Sequence, residues 1–471
     1  MNRNNIFIHG TLAAVVIVFA AVLGQIDRWQ RSLDGLPGIP GPVVVDKANS
    51  CSPSRAPEVM VKFRSDFTID DINAIAAQKN DRIFDKIEAV KGLAIIDDLD
   101  NMDPETVARN YAELGDIVEW AEPNFRIELS DPSAFRREAA YQDDPAGGPN
   151  DPQFGDQWAL ANLGQQGGKK DADIKALDAW KTTTGSEDVV VAVLDTGVDL
   201  NHADLSGNMW FRPANLSPYN DPQLGRMNDI YGFDGTSDLP DPMDDNGHGT
   251  HCAGIIGAVG DNGEGIAGVN WRVKIMPLKF LGRNGSGNAS DAIAAINYAI
   301  ERKSSGVNIR VISASWGSMR RSKALEATIR AAGEAGILFV AAAGNDGSDN
   351  DRRPHYPSNY ELPNVISVAA LDRNDTLASF SNFGAKTVHI AAPGKDILST
   401  WIGNDYREAS GTSMATPFVS GVAALIVANE PNITVAELRS RLLNSVDKLT
   451  SLDGKVASGG RLNAAKAMAG R

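Results

Sequence analysis

The chain has 471 residues, 42% hydrophobic and 22% charged, with a formal net charge of −15. That length divides into roughly two to four folding units, the composition excludes wholesale disorder, and an acidic chain without a basic stripe excludes nucleic-acid binding. The surplus of carboxylates serves either solubility or an oxygen-seeking cation such as calcium.

Residues 1–5 are mildly basic, and residues 6–24 are nearly continuously apolar, broken at His9, Gly10 and Thr11. This is a signal-peptide layout, yet about 19 residues also just span a bilayer, so residues 1–24 read as a cleaved signal or a retained anchor. Either way the body of the protein leaves the cytoplasm, for a secreted or extracytoplasmic location. Residues 25–55 are rich in Pro and Gly and read as a linker. Cys51 and Cys252 are too few for a disulfide framework.

Residues 56–130 carry the pattern of a small α+β unit. Strands are expected at 58–63 and 92–96, and a helix at 69–79 with Thr68 as its cap. A second helix opens at Asp103-Pro104, with proline in its first turn, and residues 117–121 and 125–129 are extended. Residues 131–150 are polar and read as a loop or processing segment. From 151 to 471 apolar strands at 189–194, 273–278, 309–314, 337–342, 365–369 and 388–391 alternate with helical patterns, notably 290–301 and 324–335. Buried strands separated by helices predict an α/β fold with a doubly wound parallel sheet covered on both faces. Functional groups of such sheets collect at the carboxyl ends of the strands. The segment 209–241 is rich in Pro and reads as a surface insertion.

Three segments bear on chemistry. In Asp195-Thr196-Gly197 a carboxylate ends a buried strand before a glycine turn, as a helix cap also would. Gly247-His248-Gly249-Thr250-His251-Cys252 places two histidines three apart at a helix start, which fits a base, a packed histidine or a metal ligand, although the His-Glu-x-x-His zinc pattern is absent. In Gly411-Thr412-Ser413-Met414-Ala415-Thr416-Pro417 a serine lies just inside a helix N-terminus, as a cap or beside N–H groups that favour developing negative charge.

Together, in this order, the three motifs resemble those of the subtilisin-like serine protease family, most closely its thermitase-type members. The resemblance covers about residues 150–471, and the preceding unit is similar to the family's inhibitory propeptide. It implies an exported serine endopeptidase made as a self-processing precursor, with Asp195, His248 and Ser413 as its triad. The alternative on the same fold is a binding protein that has lost catalysis, and a metalloenzyme built on His248 and His251 is a third reading. By the same resemblance Asn345 and the Ser413 N–H would hold the oxyanion. Gly285, Gly287, Ser315, Trp316 and Gly317 would flank an extended polypeptide substrate. Ala342, Gly344 and the 315–317 edge would line the pocket for the residue whose carbonyl is attacked (P1), with His355 and Asp346 near its rim. Trp316 also has a plain reading as core packing. Calcium is the implied structural cofactor, held by Asp151, Asp204 and Asn262 and by carbonyls of Val259, Glu264 and Ile266. A second site would draw on Asp234, Asp238 or Asp241. The unit at 56–130 would act as intramolecular inhibitor and folding aid, and Cys252, behind the histidine, would confer sensitivity to mercurials.

Overall fold

Alternation of apolar side chains decides how the central strand is used. In β6 (Gly185–Asp195) every residue from Val189 to Asp195 is buried, and successive side chains of a strand point to opposite faces. Val189, Val191 and Val193 enter one core, while Val190, Ala192 and Leu194 enter another. A strand buried on both faces needs helices on both sides. The computed structural model describes residues 58–130 and 147–470 except 222, 224 and 237–240. The expected signal or anchor, the linker, residues 131–146 and Asp238 lie outside the described residues.

The leading unit comprises β1 (Glu58–Phe63), α1 (Ile69–Gln78), β2 (Asp81–Ile87), β3 (Leu93–Asp98), α2 (Pro104–Ala112), β4 (Val118–Pro123) and β5 (Arg126–Glu128). Its antiparallel sheet has the order β2-β3-β1-β4. Thr68 and Asp71 form a reciprocal capping box at the start of α1. Val59, Val61, Ile72, Ile96, Val107 and Tyr111 share the small core beneath the two helices.

After β6 come β7 (Phe233–Asp234), α3 (His248–Gly257), β8 (Arg272–Lys279), β9 (Ser286–Asn288), α4 (Ala289–Ser304), β10 (Ile309–Ala314), α5 (Lys323–Glu334), β11 (Leu338–Ala342), β12 (Val365–Leu371) and β13 (Ile390–Pro393). The chain ends with the hairpin β14 (Ile397–Trp401) and β15 (Asp405–Ala409), then α6 (Thr412–Asn429), α7 (Val435–Asn444), β16 (Asp447–Lys448) and β17 (Gly460–Arg461). The nine-stranded sheet runs β16-β17-β13-β12-β11-β10-β6-β8-β7, parallel except for β16 against β17. Residues of α3 and α6 join one core and those of α4 and α5 the other. Helix α6 is long and apolar enough to cross a membrane, yet 89% of it is buried against the sheet. From β6 the chain moves to β8 on one side and then to β10 on the other, so a crevice opens beyond the carboxyl ends of β6 and β10.

The segment 209–241 is anchored by charge. Asp229, 1% exposed, pairs with Arg302 of α4 at 2.7 Å and accepts from the Tyr298 hydroxyl at 2.7 Å. The Arg302 guanidinium also lies 5.3 Å over the Tyr219 ring.

Candidate active site

Three chain segments meet at the crevice, each placed by a backbone constraint. Asp195 is the last residue of β6 and is fully buried. Its carbonyl accepts from the N–H groups of Phe280 and Leu281, which pins the strand end, and its Oδ1 accepts from Thr196 N at 2.7 Å. His248 opens α3, and its Nδ1 lies 2.7 Å from Asp195 Oδ1. Helix α3 approaches that closely because position 249 lacks a side chain: a Cβ there would stand 2.1 Å from the Gly197 carbonyl. Asp244 fixes the helix start, accepting from Asn246 N, Gly247 N, Thr250 N and the Thr250 hydroxyl. Sequence reading passed over Asp244, although an acidic residue shortly before Gly-His-Gly-Thr is a capping signal.

Ser413 lies in the first turn of α6. One turn beyond His248 on α3, the Cys252 thiol sits 3.6 Å from the Ser413 carbonyl, so α3 and α6 meet where both reactive side chains emerge. The ligand atoms of Asp195, His248 and Cys252 lie within 4.8 Å of one another. The Ser413 hydroxyl donates to the Ser315 carbonyl at 2.8 Å, and the Ser315 hydroxyl returns a bond of the same length to the Ser413 carbonyl. Asn345 follows β11, the neighbour of β10. Its Oδ1 accepts from both the N–H and the hydroxyl of Thr412 at 2.9 Å, which fixes the NH2 as the end of the amide turned away from Thr412. Thr412, next to Ser413, is therefore a positioning residue that the sequence did not single out.

His251 goes elsewhere. Its Nε2 lies 3.0 Å from each of the carbonyls of Ile397 and Arg407, in the β14–β15 hairpin, and the ring is fully buried. It therefore sits in the core, tying α3 to that hairpin.

The flanking edges are already in use. β9 pairs antiparallel with β5 of the leading unit, Gly287 opposite Ile127, and Leu129 N donates to the Gly285 carbonyl at 2.9 Å. A Cβ at Gly287 would fall 1.9 Å from the Phe280 carbonyl, so this edge needs glycine. The same unit caps two helices of the catalytic region. The Glu122 carboxylate accepts from the Ser322 hydroxyl and from Lys323 N and Ala324 N at the start of α5. Glu58 and Asn124 meet Ser290 at the start of α4. Trp316 belongs to the second edge by position, but its indole turns inward. It packs edge-on against Phe280 and donates from Nε1 to the Leu194 carbonyl at 2.9 Å, so as a side chain it is core and supports the strand under Asp195.

The loop after α3 brings Asp151, Asp204 and Asn262 together. Asp204 accepts from Asn262 Nδ2, Ile266 N and the Tyr406 hydroxyl, and Asp151 accepts from Asp261 N. Both carboxylates are about 99% buried or more, and Asp151 Oδ1 has no partner. Burial raises the pKa of Asp204 to about 6, and the Asp151 charge adds to it. Among the described residues neither acid pairs with Lys or Arg, and the carbonyls of Val259, Glu264 and Ile266 receive no backbone N–H. Two buried acids, an orphaned oxygen and carbonyls without a backbone N–H partner fit a hard cation. Of the second acidic group, Asp234 accepts from the N–H and hydroxyl of Thr236, and Asp241 accepts from Met243 N.

A buried carboxylate bonded to an imidazole at the carboxyl end of a central parallel strand, with a serine at the N-terminus of the neighbouring helix, supplies the groups that hydrolysis through a serine requires. Residues 186–461, more than half of the chain, match the Subtilase family (Peptidase_S8), and the chain belongs to that family, with its α/β subtilisin fold and serine endopeptidase activity. It is 35% identical over 418 residues to the thermophilic serine proteinase of Bacillus sp. (strain AK1), with 87% of each chain covered. It is 36% identical over 320 residues to thermitase of Thermoactinomyces vulgaris, covering 68% of this chain and 99% of that one. It is 37% identical over 309 residues to the cell wall-associated protease of Bacillus subtilis (strain 168), covering 65% of this chain and 31% of that one.

Proposed function

We propose that the chain is an exported precursor that hydrolyses polypeptides through Asp195, His248 and Ser413 and matures by cutting itself. The observation that carries this reading is the 2.7 Å bond between His248 Nδ1 and Asp195 Oδ1. It commits Nδ1 to the carboxylate, which leaves Nε2 as the basic nitrogen of the ring. His248 takes the Ser413 proton as Oγ attacks the substrate carbonyl, and the bond to Asp195 stabilises the imidazolium that forms. The Ser413 N–H and the Asn345 Nδ2 hold the oxyanion of the tetrahedral intermediate. His248 then passes the proton to the leaving amine, and water hydrolyses the acyl-enzyme by the reverse sequence.

Substrate adds as an extended strand along Gly285–Gly287 and Ser315–Gly317. In the precursor β5 takes the first of these edges, which is why residues 56–130 read as inhibitor and folding aid. Calcium would be held by Asp151, Asp204, Asn262 and the carbonyls of Val259, Glu264 and Ile266, where it neutralises buried charge and ties residue 151 to the loop after α3. The apolar residues 6–24 and the printed name of the cell wall-associated relative support an extracytoplasmic location.

A fluorophosphonate probe tests the core of this reading. We expect it to label the mature wild type at Ser413, to leave Ser413→Ala unlabelled, and that variant to accumulate at precursor mass without digesting casein. Labelling of Ser413→Ala at wild-type level, or casein cleavage by it, would overturn the assignment.

A further inference from the structure

Gly317 and Gly344 belong to the two backbone edges that define the P1 pocket, and the same side chain faces both. A Cβ built on Gly317 would lie 2.1 Å from His355 Cε1 and 2.8 Å from Nδ1, and one on Gly344 would lie 3.0 Å from Cδ2 and 3.1 Å from Nε2. The imidazole therefore fills the slot between the edges. It is 7% exposed, and burial lowers its pKa to about 4, so the ring is neutral near pH 7.

Its position is held from several sides. The ring bonds the Ala342 carbonyl, and His355 N donates to Asn359 Oδ1. The Ser358 hydroxyl donates to the His355 carbonyl at 2.7 Å. The next residue, Tyr356, exchanges two 2.7 Å backbone bonds with Ser318, which locks the loop to the 315–317 edge. Beside the ring lies a cavity of about 110 Å³ lined by Met319, Asp346, Ser348, Arg353, His355 and Asn382. That is well below the roughly 300 Å³ at which ligand pockets begin.

We propose that His355 is the floor of the P1 pocket and restricts this enzyme to short P1 side chains, of the size of alanine and serine. The inference rests on the placement of Ser413 and Asn345 given above. A ring between two glycine edges occupies the depth that a long side chain would need, and a P1 leucine, phenylalanine or lysine would have to displace an imidazole held by the Ala342 carbonyl. The charges of Asp346 and Arg353 lie beside the ring, so no net charge draws in a long ionic side chain.

The test uses mature enzyme and peptides that differ only at P1 (Ala, Ser, Leu, Phe, Lys), with active sites titrated by fluorophosphonate. We expect the wild type to cleave the Ala and Ser peptides at least about tenfold more efficiently in kcat/KM than the Phe peptide. His355→Gly should raise kcat/KM for P1 Phe relative to P1 Ala by about tenfold or more. His355→Met, which refills the slot, should keep the wild-type ranking. A wild type that prefers Phe or Leu, or an unchanged ranking in a folded His355→Gly, would overturn the proposal, and the wild-type profile decides even where the glycine variant fails to fold. Absence of labelling and of cleavage for every peptide would instead sink the assignment of Ser413.

Discussion

Both regions of this molecule bury acidic side chains, and they treat them differently. In the catalytic region several buried acids have a dedicated partner, whereas Asp151 and Asp204 pair with no Lys or Arg among the described residues. Asp195 holds His248, Asp244 caps α3, Asp229 pairs with Arg302, and Asp375 meets Arg461 and Lys169. In the leading unit one pair of acids stands opposite across β2 and β3, Asp81 against Asp98, beside Asp97, which pairs with Arg82 at 2.7 Å. Asp81 accepts from the Tyr111 hydroxyl at 2.7 Å, yet burial raises its pKa to about 6, and the charge of Asp98 adds to the shift. A paired buried charge makes a region robust to pH, whereas a crowded one makes it conditional. The region that stays is built the first way, and the region expected to leave is built the second.

Three experiments on the inactive Ser413→Ala chain press on that contrast. The largest effect should come from Arg302→Met combined with Arg212→Met, which removes both guanidinium partners of Asp229, 2.7 and 3.3 Å away, and strands it at 1% exposure. We expect a loss of about 3–5 kcal/mol in urea unfolding of the catalytic region, largely recovered by adding Asp229→Asn. A loss under about 1 kcal/mol would show that Asp229 does not depend on its partner.

Next is the one catalytic-region pair without a basic partner, Asp151 and Asp204. Calcium at 100 times its dissociation constant stabilises by about 2.7 kcal/mol. Chelation should therefore lower the thermal midpoint by roughly 5 °C, and Asp151→Asn with Asp204→Asn should abolish that response. A midpoint indifferent to chelation would remove the cation from the account.

The smallest effect concerns Asp81. Its folded pKa is raised from 3.8 to about 6, so the folded unit binds the proton more tightly than the unfolded chain does. The stability that this proton confers is complete below about pH 4 and is lost as pH rises through about 6. Asp81→Asn should then melt roughly 2–4 °C above its parent at pH 8 and level with it at pH 4. An equal offset at both pH values would show that its charge is not the cause.

The architecture was legible where one physical constraint dominated. Uninterrupted apolar runs gave the strands of the parallel sheet, and expected helices at 290–301 and 324–335 fall within a few residues of Ala289–Ser304 and Lys323–Glu334. Strand β2 was missed because Asp81, Arg82, Asp85 and Lys86 hide its apolar face. The β14–β15 hairpin was missed because Gly403, Asn404 and Asp405 break its pattern. At the site, the family resemblance of the motifs pointed to Asp195, His248, Ser413 and Asn345. The residues that aim them, Asp244 and Thr412, act through hydrogen bonds that no periodicity records. The direction of the Trp316 indole was open for the same reason: a strand-end aromatic can turn either way, and only the Leu194 carbonyl and the Phe280 ring decide it.

The shortness of β9 has a further consequence. Three residues, with glycines at 285 and 287, offer a guest main-chain partners and almost no side chains to inspect. Such an edge welcomes any loose stretch of polypeptide, including one from a neighbouring copy of the same molecule. With β5 off this edge, its backbone would screen no guest by side chain, and a weakened loop anchor such as the one at Asp229 is expected to show itself first as self-digestion.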